Sequence, residues 1–322
     1  MHRALVTGGA GFIGSTLADR LAADGVEVVV LDDFRTGYRA FVADLLERPN
    51  ASLVEGDVLD PEALSRAMDG VDTVFHLQAN ADVRFGLDHP QRDLEQNTIA
   101  TSNVLEAMRA AGAKRIVFSS TGSAYGEPTT FPTPETEAFP IQTSLYGASK
   151  AAGEGLISAY CHGYGFTGVV YRFVSILGER YTHGHVFDFY RALKRDPSKL
   201  RVLGDGRQEK SYLYVQDCVN GILTGLAAQD GPGFEVYNLG SDETLVVDDS
   251  VARITARMGV TPEIEHAGGA RGWIGDSPLI QLDCTKIRAL GWKPQLTLGE
   301  AIDRTLDWFE AHPEIVLETS PA

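Results

Sequence analysis

The stretch "VTGGAGFIG" at residues 6–14 decides how this chain begins to fold. It lies between a short apolar run and an amphipathic stretch, so it indicates a turn between a buried strand and a helix. Its glycines satisfy two related spacings, GxGxxG through Gly9, Gly11 and Gly14 and GxxGxxG through Gly8, Gly11 and Gly14. Such glycines let the backbone approach a pyrophosphate, which then lies at the positive end of the helix. The stretch predicts a dinucleotide-binding turn.

A carboxylate follows at the distance that this interpretation requires. The run "VVVLDD" at residues 28–33 is typical of a second buried strand, and Asp32 lies at its end. A carboxylate there accepts hydrogen bonds from the adenosine ribose hydroxyls and repels a 2′-phosphate, which favours NAD over NADP. The alternative is that Asp32 is only a solvated strand end.

Apolar runs and amphipathic stretches alternate through the first half of the chain. The runs that predict buried parallel strands are Ala4–Val6, Val26–Leu31, Ala51–Val54, Thr73–Leu77, Arg115–Phe118 and Val169–Phe173. The stretches that predict helices are residues 12–24, 61–69, 91–111 and 146–162. This alternation predicts an α/β fold, a Rossmann-type doubly wound parallel sheet.

The pattern changes in the second half, where glycine-rich turns separate two further predicted helices at residues 215–228 and 299–311. We expect residues 1–173 to form an NAD-binding domain. Residues 174–322 are expected to form mainly a smaller substrate-binding lobe, with some segments returning to the main sheet.

Composition narrows the functional class. The chain has 322 residues, with 28 Lys and Arg against 44 Asp and Glu, so its net charge is −16. A field of that sign repels phosphate backbones, and we expect no nucleic-acid partner. The three cysteines are scattered, no signal-peptide pattern is present, and no run approaches the about 18 apolar residues of a membrane span. These features predict a cytoplasmic protein with reduced thiols and no membrane partner.

Tyr146 and Lys150 in "SLYGASK" (residues 144–150) are four residues apart on a predicted helix and therefore share a face. A neighbouring ammonium favours the phenolate, so Lys150 is expected to lower the pKa of Tyr146. Such a tyrosine can take a proton from an alcohol while hydride leaves the same carbon. An isolated YxxxK is more simply a surface pair, but the preceding dinucleotide turn favours the catalytic interpretation.

With these motifs the chain resembles the extended short-chain dehydrogenases/reductases, specifically the NAD-dependent sugar-nucleotide epimerase/dehydratase family. The resemblance covers nearly the whole chain and extends to "YRFVSILG", "LGDGRQEKSYLYVQD" and "RGWIGD". It implies that Tyr146 is the base, that Lys150 holds the nicotinamide ribose, and that Thr121 hydrogen-bonds the reacting hydroxyl. The residues that it implies around NAD, besides Tyr146 and Lys150, are Gly8, Gly11, Phe12, Ile13, Gly14, Asp32, Asp33, Asp57, Val58, Leu77, Gln78, Ala79, Asn97, Ser119 and Phe173.

The strand end "SSTGSAYG" at residues 119–126 narrows the reaction within that family. In the 4,6-dehydratases of the family this strand end resembles Thr-Asp-Glu. In this chain Thr121 is followed by Gly122 and Ser123. UDP-glucuronate decarboxylases of the family carry a glutamate at the position of Ser123. The chain therefore lacks the acid–base groups for dehydration and for decarboxylation. The reaction that remains is oxidation at C4, rotation of the 4-keto sugar and return of hydride to its other face. The resemblance thus implies a 4-epimerase, an isomerase acting on a UDP-sugar.

The resemblance implies that two cations of the C-terminal half bind the nucleoside diphosphate. By resemblance, Arg271 clamps the pyrophosphate, and Lys210 stands where many relatives have arginine. The other candidates for substrate binding are Thr121, Gly122, Ser123, Tyr146, Ser175, Val186, Arg191, the Arg201–Val202 backbone, Gln208 and Asp276, with Tyr212 in support. His183 and His185 have no apparent third ligand, and we expect no metal.

Ser175 and Arg191 bear on which sugar fits. Related UDP-galactose 4-epimerases often have asparagine at the position of Ser175, and the position of Arg191 is often apolar in close relatives. If both residues face C6 of the sugar, space and a cation suit a carboxylate better than a hydroxymethyl group. The alternative is a solvated arginine and a neutral serine. The sequence narrowly favours UDP-glucuronate/UDP-galacturonate over UDP-glucose/UDP-galactose.

Two alternative functions stay open. An NAD-dependent dehydrogenase or reductase of another nucleotide sugar would use the same residues. A non-catalytic NAD-binding scaffold would keep the fold, although the presence of Tyr146, Lys150 and Thr121 together argues against it. The helices at 97–111 and 146–162 carry more apolar residues than one sheet-facing stripe needs, and the resemblance implies that they pair in a homodimer.

Overall fold

The computed structural model describes residues 1–81, 83–137, 141–273, 276–277 and 279–317. Its strands are β1 (Arg3–Thr7), β2 (Glu27–Asp32), β3 (Ala51–Glu55), β4 (Thr73–His76), β5 (Arg115–Thr121), β6 (Thr167–Phe173), β7 (Ser175–Leu177), β8 (Lys199–Val202), β9 (Glu209–Tyr214), β10 (Gly233–Leu239), β11 (Thr244–Val246), β12 (Glu263–His266) and β13 (Leu279–Ile280). Its α-helices are α1 (Phe12–Ala23), α2 (Ala43–Leu46), α3 (Pro61–Ala67), α4 (Val83–Asp88), α5 (Pro90–Asp93), α6 (Ala100–Ala111), α7 (Leu145–Tyr164), α8 (His185–Arg195), α9 (Val215–Ala227), α10 (Val247–Met258), α11 (Thr285–Arg288), α12 (Leu298–Ala311) and α13 (Pro313–Leu317).

Seven parallel strands form the main sheet, in the order β10-β6-β5-β4-β1-β2-β3. All six predicted runs are strands of this sheet, and the predicted doubly wound α/β fold is confirmed. The strand order reverses between β1 and β4, so a crevice forms there at the carboxyl ends of the strands. β10 joins the sheet beside β6 although it lies in the second half of the chain.

Both faces of the main sheet are buried, which explains why its strands are apolar without alternation. On β5, Val117 packs into one hydrophobic cluster, whereas Ile116 and Phe118 pack into the cluster on the opposite face. Successive side chains of a strand point to opposite faces, so each of these residues has a core to enter.

Local signals in the sequence account for several helix ends. The Asp60 side chain accepts from the Glu62 backbone N–H at 2.9 Å, with Pro61 in the first turn of α3. Thr297 and Glu300 form a capping box at the start of α12. The helix predicted at 91–111 is divided, because a π-helical segment at Leu94–Ile99 lies between α5 and α6.

The remaining strands build a smaller lobe beside the crevice. β9 pairs with β7, β11 and β13, and β8 pairs with β12. Because β7 and α8 directly follow β6, this lobe begins at the carboxyl end of β6, which borders the crevice. Within the described ranges, no helix has the length and apolar character needed to cross a membrane.

Candidate active site

A cleft of about 800 Å³ lies between the carboxyl ends of the main sheet and the smaller lobe. The glycine-rich turn before α1 and the ends of β2, β4, β5 and β6 form one wall. The first part of α8, β9 and residues 272–273 and 276–277 form the other. Such a crevice at the switch point of a parallel sheet is where this kind of fold binds ligands.

The glycine turn leaves no room for side chains. A Cβ on Gly14 would lie 2.1 Å from the Gly8 carbonyl oxygen, and Gly8 has a φ of +67° with its own Cβ position 2.8 Å from Gln78 Cα. Gly11 is the N-cap of α1 and contributes no side chain to it, and the first turn of the helix holds no acidic residue. The backbone N–H groups at this helix end therefore fit a pyrophosphate.

At the ends of β2 and β3, three carboxylates and an arginine border the cleft. Asp32 accepts from the backbone N–H groups of Ala10 and Phe34, both at 2.9 Å. Burial raises the pKa of Asp32, and these two hydrogen bonds oppose the rise. Arg35, which the sequence analysis did not single out, makes ion pairs of 3.0 Å with both Asp33 and Asp57. One cation thus pairs with two of the acids that were predicted to lie around NAD.

Tyr146 lies in the first turn of α7, where three contacts fix the helix. The Ser144 side chain caps it by accepting from the Gly147 N–H at 3.0 Å. Ser149 Oγ donates to the Tyr146 carbonyl at 2.8 Å and accepts from Asn97 Nδ2 at 2.9 Å. Asn97 therefore anchors the helix that bears Tyr146 and does not border the cleft itself.

The lowering of the Tyr146 pKa that was expected from Lys150 does not occur in this structure. Burial, and then the charge of Asp93, raise the pKa of Tyr146 to about 12, and only a hydrogen bond with Thr121 opposes them. Lys150 shares the helix face as predicted, but its Nζ lies 4.5 Å from the centroid of the Phe118 ring. That Nζ is buried and has no hydrogen-bond partner among the described residues. Burial lowers the pKa of Lys150 to about 7.

Thr121 ends β5 with its side chain held in one orientation. Its Oγ1 accepts from the Ser123 backbone N–H at 3.1 Å, which leaves the hydroxyl hydrogen to be donated. Thr121, Gly122 and Ser123 all border the cleft, as do Tyr146 and Lys150. The three predicted catalytic side chains therefore meet in one place, next to a strand end with no acid at the two following positions.

The two predicted phosphate cations are both engaged by carboxylates. Lys210 and Asp276 form a buried ion pair that borders the cleft. Arg271 is exposed, forms an ion pair with Glu127, and donates to the Asp276 carbonyl at 2.7 Å. Arg271 does not border the cleft. Spacing in the sequence could not reveal these carboxylates, since Glu127 is 144 residues away from Arg271.

Most of the predicted site residues border the cleft, and five do not: Asn97, Val186, Arg201, Val202 and Arg271. Val186 and Val202 are fully buried in the core of the smaller lobe. The Val202 carbonyl accepts from Ala267 N–H at 2.9 Å, so β-pairing already uses a backbone group of the segment that was predicted to bind substrate. Ile274 and Gly275 of the "RGWIGD" motif lie outside the described residues.

Five cleft-lining side chains have a buried polar atom with no hydrogen-bond partner in the described parts of the chain: Gln78 Oε1, Lys150 Nζ, Arg191 Nε, Gln208 Oε1 and Trp273 Nε1. Buried polar groups are normally satisfied, so their concentration in one cleft indicates a ligand with matching groups. Trp273 was missed at the sequence level, although it lies between Arg271 and Asp276 in a motif already singled out. Among the described residues, no cluster of three or more His, Cys, Asp or Glu side chains could hold a metal ion.

The sequence profile of the NAD dependent epimerase/dehydratase family matches residues 4–240, which carry the glycine turn, Asp32, Thr121, Tyr146 and Lys150. The chain belongs to this family. NAD is therefore its cofactor. The fit of the glycine turn to a pyrophosphate agrees with that, as does a Lys150 Nζ without a hydrogen-bond partner among the described residues. The family and the cofactor predicted from the sequence are both confirmed.

Members of the family with similar sequences or structures act on nucleotide sugars. The UDP-glucose 4-epimerase of Mycolicibacterium smegmatis is 32% identical over 315 residues, covering 95% of this chain and 98% of that protein. A crystal structure of a UDP-galactose 4-epimerase is 36% identical with a TM-score of 0.86, covering 96% of this chain and 99% of that one. The UDP-glucuronic acid 4-epimerase from Bacillus cereus, in complex with UDP-glucuronic acid and NAD, is 25% identical with a TM-score of 0.87, at the same coverage.

Proposed function

We propose that this chain is an isomerase, an NAD-dependent UDP-sugar 4-epimerase. The observation that carries the proposal is the meeting of Tyr146, Lys150 and Thr121 beside Gly122 and Ser123, where no carboxylate follows the threonine. Relatives named for 4-epimerisation of UDP-glucose, UDP-galactose and UDP-glucuronate support it. The chemistry that bound NAD supplies is reversible hydride exchange at C4 of the sugar.

The side chains of the site perform the proton chemistry at the C4 hydroxyl. Thr121 donates its hydroxyl hydrogen towards the sugar oxygen, because the Ser123 N–H already occupies a lone pair of its Oγ1. Tyr146, which is hydrogen-bonded with Thr121, exchanges the proton of the sugar C4 hydroxyl. Lys150 would hold the nicotinamide ribose with its Nζ, which has no hydrogen-bond partner among the described residues.

Turnover of UDP-sugars tests this function directly. Purified protein is incubated with UDP-hexoses and UDP-hexuronates, C4 inversion is followed by NMR, and nicotinamide absorbance is recorded in parallel. An epimerase inverts C4 with no net NADH, whereas a dehydrogenase accumulates NADH. No inversion and no NADH across the panel would reject both activities.

We further propose that the site favours a hexuronate over a hexose. Ser175 and Arg191 both border the cleft, as this preference requires. Arg191 lies on α8 with its guanidinium carbon 5.1 Å from the centroid of the Phe187 ring, and its buried Nε has no partner in the described residues. A charge-assisted hydrogen bond from this group to a C6 carboxylate would contribute about 1.5–3 kcal/mol.

Arg191→Ala is expected to lower kcat/KM on UDP-glucuronate by about ten- to hundredfold and to leave UDP-glucose little changed. The reason is that only the hexuronate presents a carboxylate to the guanidinium. Steady-state assays on both substrates measure the effect, with the exposed Arg195→Ala at the end of the same helix as the charge-matched control. Equal losses on the two substrates would rule out the preference.

We also propose that the protein is a homodimer through α6 and α7. Ile99, directly before α6, and Leu145, at the start of α7, are exposed, and Ala152, Gly155 and Ala159 form an exposed face of small residues on α7. Light scattering at micromolar concentration should give twice the chain mass of 34.8 kDa, and Gly155→Arg should reduce it to that of one chain because the bulky cation blocks close helix packing. A monomer mass for the unaltered protein would contradict the proposal.

A further inference from the structure

An arginine forms a bridge at the edge of the cleft, between the ends of two neighbouring strands. Arg35 follows β2, and its Nη2 makes ion pairs of 3.0 Å with Asp33, in the same loop, and with Asp57, which follows β3. All three residues border the cleft. Because β2 and β3 pair in the sheet, with Asp32 opposite Glu55, the guanidinium joins the loop after one strand to the loop after the next.

The loop that carries Arg35 is held at both of its ends. Asp32 Oδ1 accepts from the Phe34 N–H at 2.9 Å, and the Ala10 carbonyl accepts from the Tyr38 N–H at 3.0 Å. Phe34, directly before Arg35, has a φ of +58°, in the left-handed region that a bulky side chain rarely adopts. Such strain persists only where the surrounding contacts fix the backbone, and it is concentrated in functional segments.

The two carboxylates of the bridge are held by backbone N–H groups. Asp57 Oδ1 accepts from the Leu59 N–H at 2.9 Å, which leaves its Oδ2 for the ion pair with Arg35. Asp33 Oδ1 accepts from the Arg35 N–H, also at 2.9 Å, and its Oδ2 makes the other ion pair. Both partners of the guanidinium are therefore fixed, and the guanidinium is the part of the bridge that can move.

We propose that the Arg35 bridge is a latch over the adenosine end of the NAD site. In folds of this kind the pyrophosphate lies at the start of the first helix, and a carboxylate at the end of the second strand binds the adenosine ribose. The adenine then extends from Asp32 towards the end of β3, where Asp57 and Val58 border the cleft. One nitrogen, Arg35 Nη2, makes both ion pairs, so the guanidinium breaks both when it swings away to let NAD enter or leave.

The inference rests on NAD as the cofactor and concerns its exchange. It makes no use of the sugar chemistry, so a protein that epimerised no UDP-sugar would reject the proposed function and leave the latch standing. The two failures are therefore distinguishable.

The experiment measures how fast NAD is exchanged. The protein is loaded with radiolabelled NAD and chased with unlabelled NAD, which gives the dissociation rate, and Kd from calorimetric titration then gives the association rate. In Arg35→Ala both rates should rise by about five- to thirtyfold, because two ion pairs no longer have to open. Kd should change by less than about threefold, since the latch lies in the path in both directions. Loss of electrostatic attraction alone would instead slow the association of the anionic cofactor.

Two further variants sharpen the comparison. Arg253→Ala is the matched control, because Arg253 is 42% exposed against 47% for Arg35 and pairs with Asp303, and neither of these two residues borders the cleft. Its exchange rates should equal those of the unaltered protein. Arg35→Lys should lie between Arg35→Ala and the unaltered protein, since lysine keeps the charge but lacks the planar fork.

Ionic strength provides an independent readout. Raising the salt concentration from about 0.05 M to about 0.5 M should speed NAD dissociation several-fold in the unaltered protein and much less in Arg35→Ala, because exposed ion pairs are screened. Dissociation from Arg35→Ala within twofold of the unaltered protein would overturn the proposal. So would faster dissociation with an equally weakened Kd, which would make Arg35 a plain contact of NAD.

NADP tests the other role that an arginine can have at this place. Folds of this kind use an arginine near the end of the second strand to bind the 2′-phosphate of NADP. Here the guanidinium is already paired with Asp33 and Asp57, so Arg35→Ala should not weaken NADP binding relative to NAD binding. A loss of tenfold or more in the affinity for NADP alone, measured by the same titration, would show that Arg35 is a phosphate ligand and would overturn the latch.

Discussion

Tyr146→Phe is expected to fold and to retain NAD, but to lose epimerisation by a factor of about 10³ or more. The phenol oxygen is the group of the site that can exchange the C4 hydroxyl proton, and phenylalanine keeps the ring while removing that oxygen. Thr121 remains in place, since its Oγ1 is held by the Ser123 N–H and not only by Tyr146. C4 inversion by NMR gives the rate, and bound nicotinamide released on denaturation gives the cofactor content.

A matched control separates loss of chemistry from loss of structure. Tyr237→Phe removes a phenol oxygen on β10 that accepts from Gln229 Nε2 at 3.2 Å, away from the cleft. That variant should retain turnover close to normal, with a small change in Tm. If Tyr146→Phe turned over within tenfold of the unaltered protein, the base would be misassigned.

Gly14→Ala is expected to weaken NAD binding by at least about a hundredfold and to lower stability by about 1–3 kcal/mol. The added methyl group would lie 2.1 Å from the Gly8 carbonyl oxygen and 2.9 Å from Gly9 Cα. Both neighbours are backbone, so the turn itself must move, and its N–H groups then no longer meet the pyrophosphate. Calorimetric titration with NAD and thermal unfolding measure the two effects.

The control for this change is another glycine-to-alanine substitution in a helix. A Cβ on Gly163, near the end of α7, would have no atom within 4 Å. Gly163→Ala should therefore keep the NAD affinity unchanged and raise stability by up to about 1 kcal/mol. NAD affinity of Gly14→Ala within tenfold of the unaltered protein would show that the turn tolerates a side chain and does not cradle the cofactor.

The parts of the structure that were predicted correctly are local in origin. The apolar runs predicted the first six strands of the sheet, and the helix predicted at residues 299–311 corresponds to α12. The exceptions are also instructive. β10 was not predicted as a strand, since its burial depends on pairing with β6 more than sixty residues earlier in the chain. The break in the helix at 91–111 has no proline or glycine to signal it.

The sequence by itself determined the glycine turn, Asp32, the Tyr146–Lys150 spacing and the absence of acids after Thr121, because these depend on residue type and short spacing alone. The tertiary structure decided the electrostatics of the same residues. It raised the pKa of Tyr146, placed Lys150 Nζ over the Phe118 ring, and placed carboxylates against Lys210 and Arg271. Charge states depend on which groups lose water and which distant charges approach, and both arise only when segments far apart in the chain pack together.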